Sequence, residues 1–465
     1  MIRAFLKKVG KLLKSEPQRA VAKKNLKPTI IPRSEHGISR SQISENALKV
    51  LYRLHQHGFQ ALLVGGGVRD LLLGLHPKDF DVVTNAKPEE VRRVFRNCRL
   101  IGRRFRLAHV YFDHDIIEVA TFRGTASTGG GVPSHEDRSH SDHGMILRDN
   151  IYGTLAEDVW RRDFTINALY YNIADFSVVD YVGGYSDLKA KRLRMIGEVG
   201  ERYREDPVRM LRAVRFACKA NFPLPKELST PIKELSELIT HVASSRLFEE
   251  VMKMLHSGSA EKTYEYLLTC GLFNKLFSAT AECLEGTDTP EMPAHAFLEA
   301  VFKNTDQRIQ SEQSVTTSFM VAALLWYPIC AQAGKYTAQG VGFFPAKIEA
   351  MQTVVSRQLK QIGIPKRFTQ GAREIWMLQI RMMKRQAKHV QFILLDPRFR
   401  AAFDFLELRA QAGEAQAQPL YQWWKAYIAG DAGARRVLLK EAGNVTKKRK
   451  RSRAKRAPKA PESGE

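Results

Sequence analysis

A glycine triplet and a pair of aspartates constrain this chain more than any other feature in it. Residues 61–64 are the apolar run Ala-Leu-Leu-Val, residues 65–70 are Gly-Gly-Gly-Val-Arg-Asp, and Asp79-Phe80-Asp81 follows nine positions after Asp70. The apolar run reads as a short buried strand, and residues 80–84 read as another. Without Cβ atoms, Gly65, Gly66 and Gly67 let backbone N–H groups approach a phosphate at a helix start. Residues i and i+2 of a strand face the same side, so Asp79 and Asp81 project together. Two carboxylates held there repel unless a cation separates them, and Mg²⁺ takes carboxylates together with substrate phosphates. With two ions about 3.5–4 Å apart, one activates an attacking hydroxyl while the other steadies the leaving oxygen. A glycine triplet alone is usually only a turn. Its combination with Arg69, two acids on one strand face and an acid downstream is far more specific.

Two residues compete for the place of that third acid. Glu118 stands in the apolar strand pattern between Ile116 and Ala120, where outward-facing alternation explains it equally well. Asp163 stands in Arg161-Arg162-Asp163-Phe164-Thr165-Ile166-Asn167. No G-x-x-x-x-G-K-[ST] loop occurs, which argues against a P-loop nucleotidase.

The charge balance points to a polyanionic partner. Seventy-three Lys and Arg against forty-nine Asp and Glu give +24 over 465 residues. The excess is concentrated at the ends: residues 1–35 carry +8 and residues 447–465 carry +7, leaving +9 for the 411 residues between. Such arms suit nucleic acid or an anionic membrane surface, although charge runs are often only solvated tails. Ile2, Phe5, Leu6, Val9, Leu12 and Leu13 share one face of a short helix with lysines opposite, which would make weak contact with a membrane surface. Lys7, Lys8 and Lys11 interrupt any signal-peptide core. The apolar segment 319–327 is too short to span a bilayer. Five dispersed cysteines form neither a disulfide framework nor a zinc pattern, so the expected address is the cytoplasm.

Residues 41–185 mix helix and strand. A helix is expected from Ser44 to His57, another over 88–95, and a hairpin of 107–112 with 116–122 around Asp113-His114-Asp115. Residues 124–144, with His135, His140 and His143, read as a solvated loop rather than a metal site. Beyond about residue 189, helical spacing dominates. The expected fold class is α+β: a small mixed-sheet head at 41–188 after a basic extension at 1–40. An all-helical neck at 189–260, expected to bind nucleobase and RNA, and a helical body at 261–440, with an Arg-rich region expected to bind RNA, follow, with a disordered basic tail at 441–465.

These blocks carry a resemblance. The glycine block with Asp79-x-Asp81 resembles the class II nucleotidyltransferase superfamily of bacterial poly(A) polymerases and tRNA CCA-adding enzymes. So do Arg161 to Asn167, Asp180-Tyr-Val-Gly-Gly184 with Asp187-Leu188, Arg204-Glu-Asp-Pro-Val-Arg209 and Ser245-Arg-Leu-Phe-Glu-Glu250. The order and spacing agree across residues 40–260. The resemblance implies that Asp79 and Asp81 are the metal-binding catalytic acids. It leaves open whether Glu118, as a metal ligand, or Asp163 completes them. Gly66, Gly67 and Arg69 lie toward the triphosphate, Arg162 grips the nucleotide, and Asp206 with Arg209 reads the base edge. An acceptor beside a donor suits adenine or cytosine and refuses guanine and uracil.

Within the superfamily, residues 100–110 (Leu-Ile-Gly-Arg-Arg-Phe-Arg-Leu-Ala-His-Val) resemble a signature of the polyadenylating branch. The segments around residues 379–385 and 397–403 resemble its Arg-rich C-terminal part, and the basic ends suit varied RNA 3′ ends. Trp423 and Trp424 are candidates for base stacking, though such pairs are more often core. The resemblance therefore implies ATP-dependent addition of adenylate to RNA 3′ ends with two Mg²⁺. The alternatives are CCA addition to tRNA and a noncatalytic RNA-binding adaptor on the same scaffold.

Overall fold

The computed structural model describes residues 27–102, 106–113, 115–124, 138–140, 146–149, 151–286 and 288–442. The expected amphipathic N-terminal helix and the C-terminal basic tail lie outside these residues. The chain divides after Glu198 into two compact units, ten residues beyond the boundary expected at 188.

The first unit is built on a mixed sheet of eight strands. They are β1 (Thr29–Ile31), β2 (Ala61–Val64), β3 (Asp81–Thr84), β4 (Cys98–Ile101), β5 (Leu107–Phe112) and β6 (Asp115–Thr121), with β9 (Leu169–Asn172) and β10 (Val178–Asp180). Their order is β1-β10-β9-β2-β3-β6-β5-β4. Only β3 and β6 are parallel, and their crossover contains the helix Pro88–Val94. The hairpin of β5 and β6 forms where the alternating pattern places it, with Asp113 at its turn in a left-handed conformation (φ 47°).

Two expectations are corrected here. Residues 29–31 pair with β10, so the N-terminal extension ends before Thr29 instead of at 40. In the stretch 124–144 expected to be loop, Arg138–His140 forms β7, which pairs with β8 (Ile146–Asp149) just beyond it. His135 and His143 lie outside the described residues.

Helices pack onto the sheet for ordinary reasons. In α1 (Glu45–Gln56) Ser44 caps the first turn, Gly58 closes the end at φ 80°, and Ala47, Val50, Leu51 and Leu54 face inward. On one sheet face, Leu62, Val64, Val83, Phe122, Tyr170 and Val179 close a core with Leu155 and Val159 of a later helix.

The second unit is helical throughout its described residues. Trp423 and Trp424 are core residues: Trp424 is fully buried and donates its indole N–H to the Met382 carbonyl at 3.1 Å. No described helix is long and apolar enough to cross a membrane.

Candidate active site

The site begins where β2 runs into α2 (Gly66–Leu72). Gly65 has φ 73° and ψ −132°, a conformation that strongly favours glycine. It turns the chain so sharply that a Cβ on it would lie 3.8 Å from Arg162 Nη1 and 4.0 Å from Asp81 Oδ2. A Cβ on Gly67 would lie 3.3 Å from the Asp79 carbonyl oxygen. The glycine turn therefore lies directly against the acidic segment.

The strand expected at 80–84 begins at Asp81, so Asp79 and Phe80 precede it. Phe80 is buried, while Asp79 and Asp81 are both exposed. Val64 pairs with Asp81, which puts the acid at the end of β3 where β2 leaves the sheet. Two exposed carboxylates beside a Cβ-free turn present hard oxygen donors to solvent.

The other candidates are placed differently. In the parallel register Val82 pairs with Val119, so Glu118 comes one position before that pair, beside Asp81. Glu118 turns to His109 across the hairpin, with the imidazole Nε2 3.3 Å from its Oε2. Among the described residues, no three His, Cys, Asp or Glu side chains are grouped closely enough to hold a metal. A three-acid cage of Asp79, Asp81 and Glu118 is thus not assembled. Asp163 is buried, and its Oδ1 accepts from the Phe164 N–H at 2.8 Å and from the Asn167 amide at 3.3 Å.

Arg69 is also turned inward. At 2 % exposure it donates twice to Asp70 Oδ1 and once, at 2.7 Å, to Asn167 Oδ1. Arg69, expected toward the triphosphate, is thus held by Asp70 and Asn167. The guanidinium ties the glycine helix to the Asn167 turn, and so links the two sequence blocks.

Arg162 sits at the end of α4 (Leu155–Arg161). Its Nε donates to Asp158 Oδ2 at 3.0 Å and to the Tyr170 hydroxyl at 2.7 Å, while that hydroxyl donates to Asp158 at 2.9 Å. Burial alone would lower the pKa of Arg162, but Tyr170 and Asp158 outweigh it and leave it raised. Burial, opposed by Arg162, keeps Tyr170 protonated well past its usual range. Asp158 and Tyr170 give no signal of this role in the sequence, being one of two adjacent acids in a helix and a tyrosine in a strand.

A second ring of bonds fixes the same loop. The Asp180 carboxylate accepts four successive backbone N–H groups, from Val182, Gly183, Gly184 and Tyr185, at 2.9–3.1 Å. Asp187 accepts from the Thr165 hydroxyl at 2.7 Å and from Arg194 at 2.8 Å. The blocks Asp180 to Gly184 and Asp187 thus hold the segment that carries Arg162 and Asp163.

In the helical unit, α5 (Val199–Glu205) and α6 (Val208–Lys219) meet at Asp206-Pro207. Arg209 is 9 % exposed and donates to Glu205 Oε2 and the Arg202 carbonyl, both at 2.9 Å. Arg202 also donates to Glu205, at 2.6 Å. Asp206 is gripped by Arg246 of α7 (Ser244–Leu255) at 3.2 and 3.0 Å. Asp206 and Arg209 are thus each oriented by a separate partner. Arg246 lies in a recognised block, but only the fold reveals its purpose.

Comparison with known proteins decides among the readings. Residues 61–194 match the family described as "Poly A polymerase head domain", 221–284 match "Probable RNA and SrmB- binding site of polymerase A", and 339–458 match "Polymerase A arginine-rich C-terminus". Poly(A) polymerase I of Salmonella typhi is 48 % identical over 458 residues, covering 98 % of this chain and 97 % of that one. This chain belongs to the bacterial poly(A) polymerase I family. A CCA-adding enzyme of Lactobacillus gasseri is 35 % identical, but over only 49 % of this chain and 54 % of its own. Poly(A) polymerase I is thus matched end to end, and the CCA-adding relative over about half. In fold, the chain resembles the Bacillus stearothermophilus CCA-adding enzyme in complex with CTP. The TM-score is 0.54 at 23 % identity, covering 81 % of this chain and 80 % of that one.

Proposed function

We infer that the chain extends RNA 3′ ends without a template, transferring AMP from ATP to the terminal 3′-hydroxyl with release of pyrophosphate. The observation that carries this reading is the glycine turn lying against Asp79 and Asp81, in a chain matched along its whole length by poly(A) polymerase I.

Each residue has a distinct part. The Cβ-free turn at Gly66 and Gly67 receives the triphosphate, and Arg69 holds that turn in place through Asp70 and Asn167. Arg162 stays charged beside the turn and neutralises phosphate. Asp79 and Asp81 would hold Mg²⁺, which when bound supplies activation of the 3′-hydroxyl and charge stabilisation for the leaving pyrophosphate. Asp163 fixes the turn behind Arg162. Asp206 accepts from the adenine amine and Arg209 donates to the adjacent ring nitrogen, the arrangement that refuses guanine and uracil. The match of residues 221–284 to the RNA-binding family supports an RNA substrate, and a cytoplasmic location accords with five free cysteines.

The test uses purified protein with Mg²⁺ and an unstructured RNA, given each of the four nucleoside triphosphates separately. A long ladder with ATP alone is expected. CTP addition confined to truncated tRNA would move the chain to the CCA-adding branch. Tight RNA binding with no incorporation would make it a noncatalytic adaptor, for which two exposed acids at the turn have no evident use.

A further inference from the structure

Two helices of the body present complementary stripes along one groove. Both α9 (Phe343–Gln361) and α10 (Lys366–Met382) pack on α8 (Thr317–Ala338), leaving an open cleft of about 560 Å³ between them. Val355 of α9 lines the cleft. Phe344, Ile348 and Leu359 share its helical face by spacing and are 44 %, 44 % and 40 % exposed. Three large apolar side chains left in water along one face call for a partner.

The facing wall is cationic. Lys366, Gln370, Arg373, Met377 and Arg381 of α10 line the cleft at the same helical spacing, and all but Met377 are exposed. Among the described residues, neither Lys366 nor Arg373 is engaged by an acid. Of the two acids of the cleft, Glu374 accepts from Arg398 outside it at 3.0 Å, and Asp396 stands 3.9 Å from Arg381, which is 59 % exposed, leaving Lys366 and Arg373 as the described cations that no acid holds. At the far end the Lys384 ammonium stands 4.7 Å over the Phe344 ring, which packs edge-on against Phe343. From Lys366 to Arg381 the α-helical rise gives a stripe of about 22 Å.

We propose that this groove is a track for single-stranded RNA, holding the nucleotides upstream of the 3′ end that is being extended. Phosphates lie along Lys366, Arg373 and Arg381, while bases rest on Phe344, Ile348 and Leu359. A cationic row beside apolar and aromatic faces is the combination that binds single strands without regard to sequence. A growing homopolymer tail needs that indifference. The track rests on the adenylyltransferase reading for its substrate, but its recognition chemistry can be measured without turnover.

The test measures binding of full-length protein to short and long oligo(A) across a salt series without ATP. The double variants are Lys366→Gln with Arg373→Gln, and Phe344→Ser with Ile348→Ser; all four positions are exposed, and thermal midpoints serve as the folding control. Removing two phosphate contacts should lower the salt slope for the long oligomer by about 1.4, at roughly 0.7 per phosphate for single strands. The aromatic variant should bind the long oligomer at least about fivefold more weakly with an unchanged slope, as for a lost stacking contact. Neither variant should alter the KM for ATP or kcat on a short primer. Unchanged slope and affinity in both variants would overturn the track and leave the groove to a protein partner. Wild-type protein that binds RNA with these signatures yet adds no AMP would instead overturn the enzymatic reading alone.

Discussion

Arg246 holds both carboxylate oxygens of Asp206, at 3.2 and 3.0 Å, across forty residues of sequence. The guanidinium fixes the direction in which the carboxylate points. In the proposed reading of the base by Asp206, Arg246 is a positioning residue. Arg246→Ala is expected to lower the preference for ATP over GTP and UTP about tenfold or more, mainly through a higher KM for ATP. Steady-state kinetics with all four nucleotides tests this. Unchanged selectivity would show that Asp206 needs no such support.

Asp81→Ala and Asp79→Ala should each lower kcat by at least about a thousandfold. Both side chains are exposed, so thermal midpoints should hold or rise. Single-turnover AMP transfer with saturating RNA measures the first effect. Turnover within tenfold of wild type would remove either residue from the catalytic pair.

Tyr170→Phe tests the buried trio with Arg162 and Asp158. The hydroxyl both accepts from Arg162 and donates to Asp158, so its loss leaves two buried polar groups each short of a partner. The expected cost is about 1–3 kcal/mol of stability, with a raised KM for ATP. Denaturant titration and initial rates measure the two; a neutral result in both would show that water replaces the hydroxyl.

Gly184→Ala probes the loop from behind. A Cβ there would fall 2.1 Å from the Thr165 carbonyl oxygen, closer than any real contact, so backbone must move. Destabilisation of about 1–3 kcal/mol is expected. Activity should fall as well, because Thr165 lies in the turn that carries Asp163 and Asn167. A stable, fully active variant would show that this turn does not fix the site.

What could be read in the sequence was mostly local chemistry. The Gly65 turn, the hairpin at Asp113 and the all-helical second unit follow from backbone conformation and side-chain period. What could not be read depends on partners far apart in the chain. Residues 29–31 are too short to show alternation, and they become a strand only because Asp180 and its neighbours offer an edge. The tie from Arg69 to Asn167 spans ninety-eight residues, and no local pattern announces it. Trp423 and Trp424 beside Lys425 suggested stacking, but their burial against Met382 and Tyr427 is a tertiary fact. Glu118 fits the pattern for a third acid, and its contact with His109 on the paired strand is invisible in that pattern.

The ion-pair cluster beneath Arg209 predicts a particular acid response. Burial would raise the pKa of Glu205, but Arg202 and Arg209 outweigh it and hold the carboxyl below its usual range. A group whose pKa is lower folded than unfolded adds stability above its unfolded value, and that contribution is lost as pH falls through the folded value. Glu205 should therefore support the helical unit at neutral pH and cease to do so in acid, below the ordinary glutamate range near about 4.3. Glu205→Gln keeps the shape and removes the charge. The thermal midpoint of wild type should exceed that of the variant most at pH 6–7, and the gap should close as pH falls below about 4. The variant should also loosen Arg209, raising the KM for ATP while leaving the RNA salt slope untouched. A gap independent of pH would mean that the carboxylate acts by packing alone and that its charge does not hold Arg209.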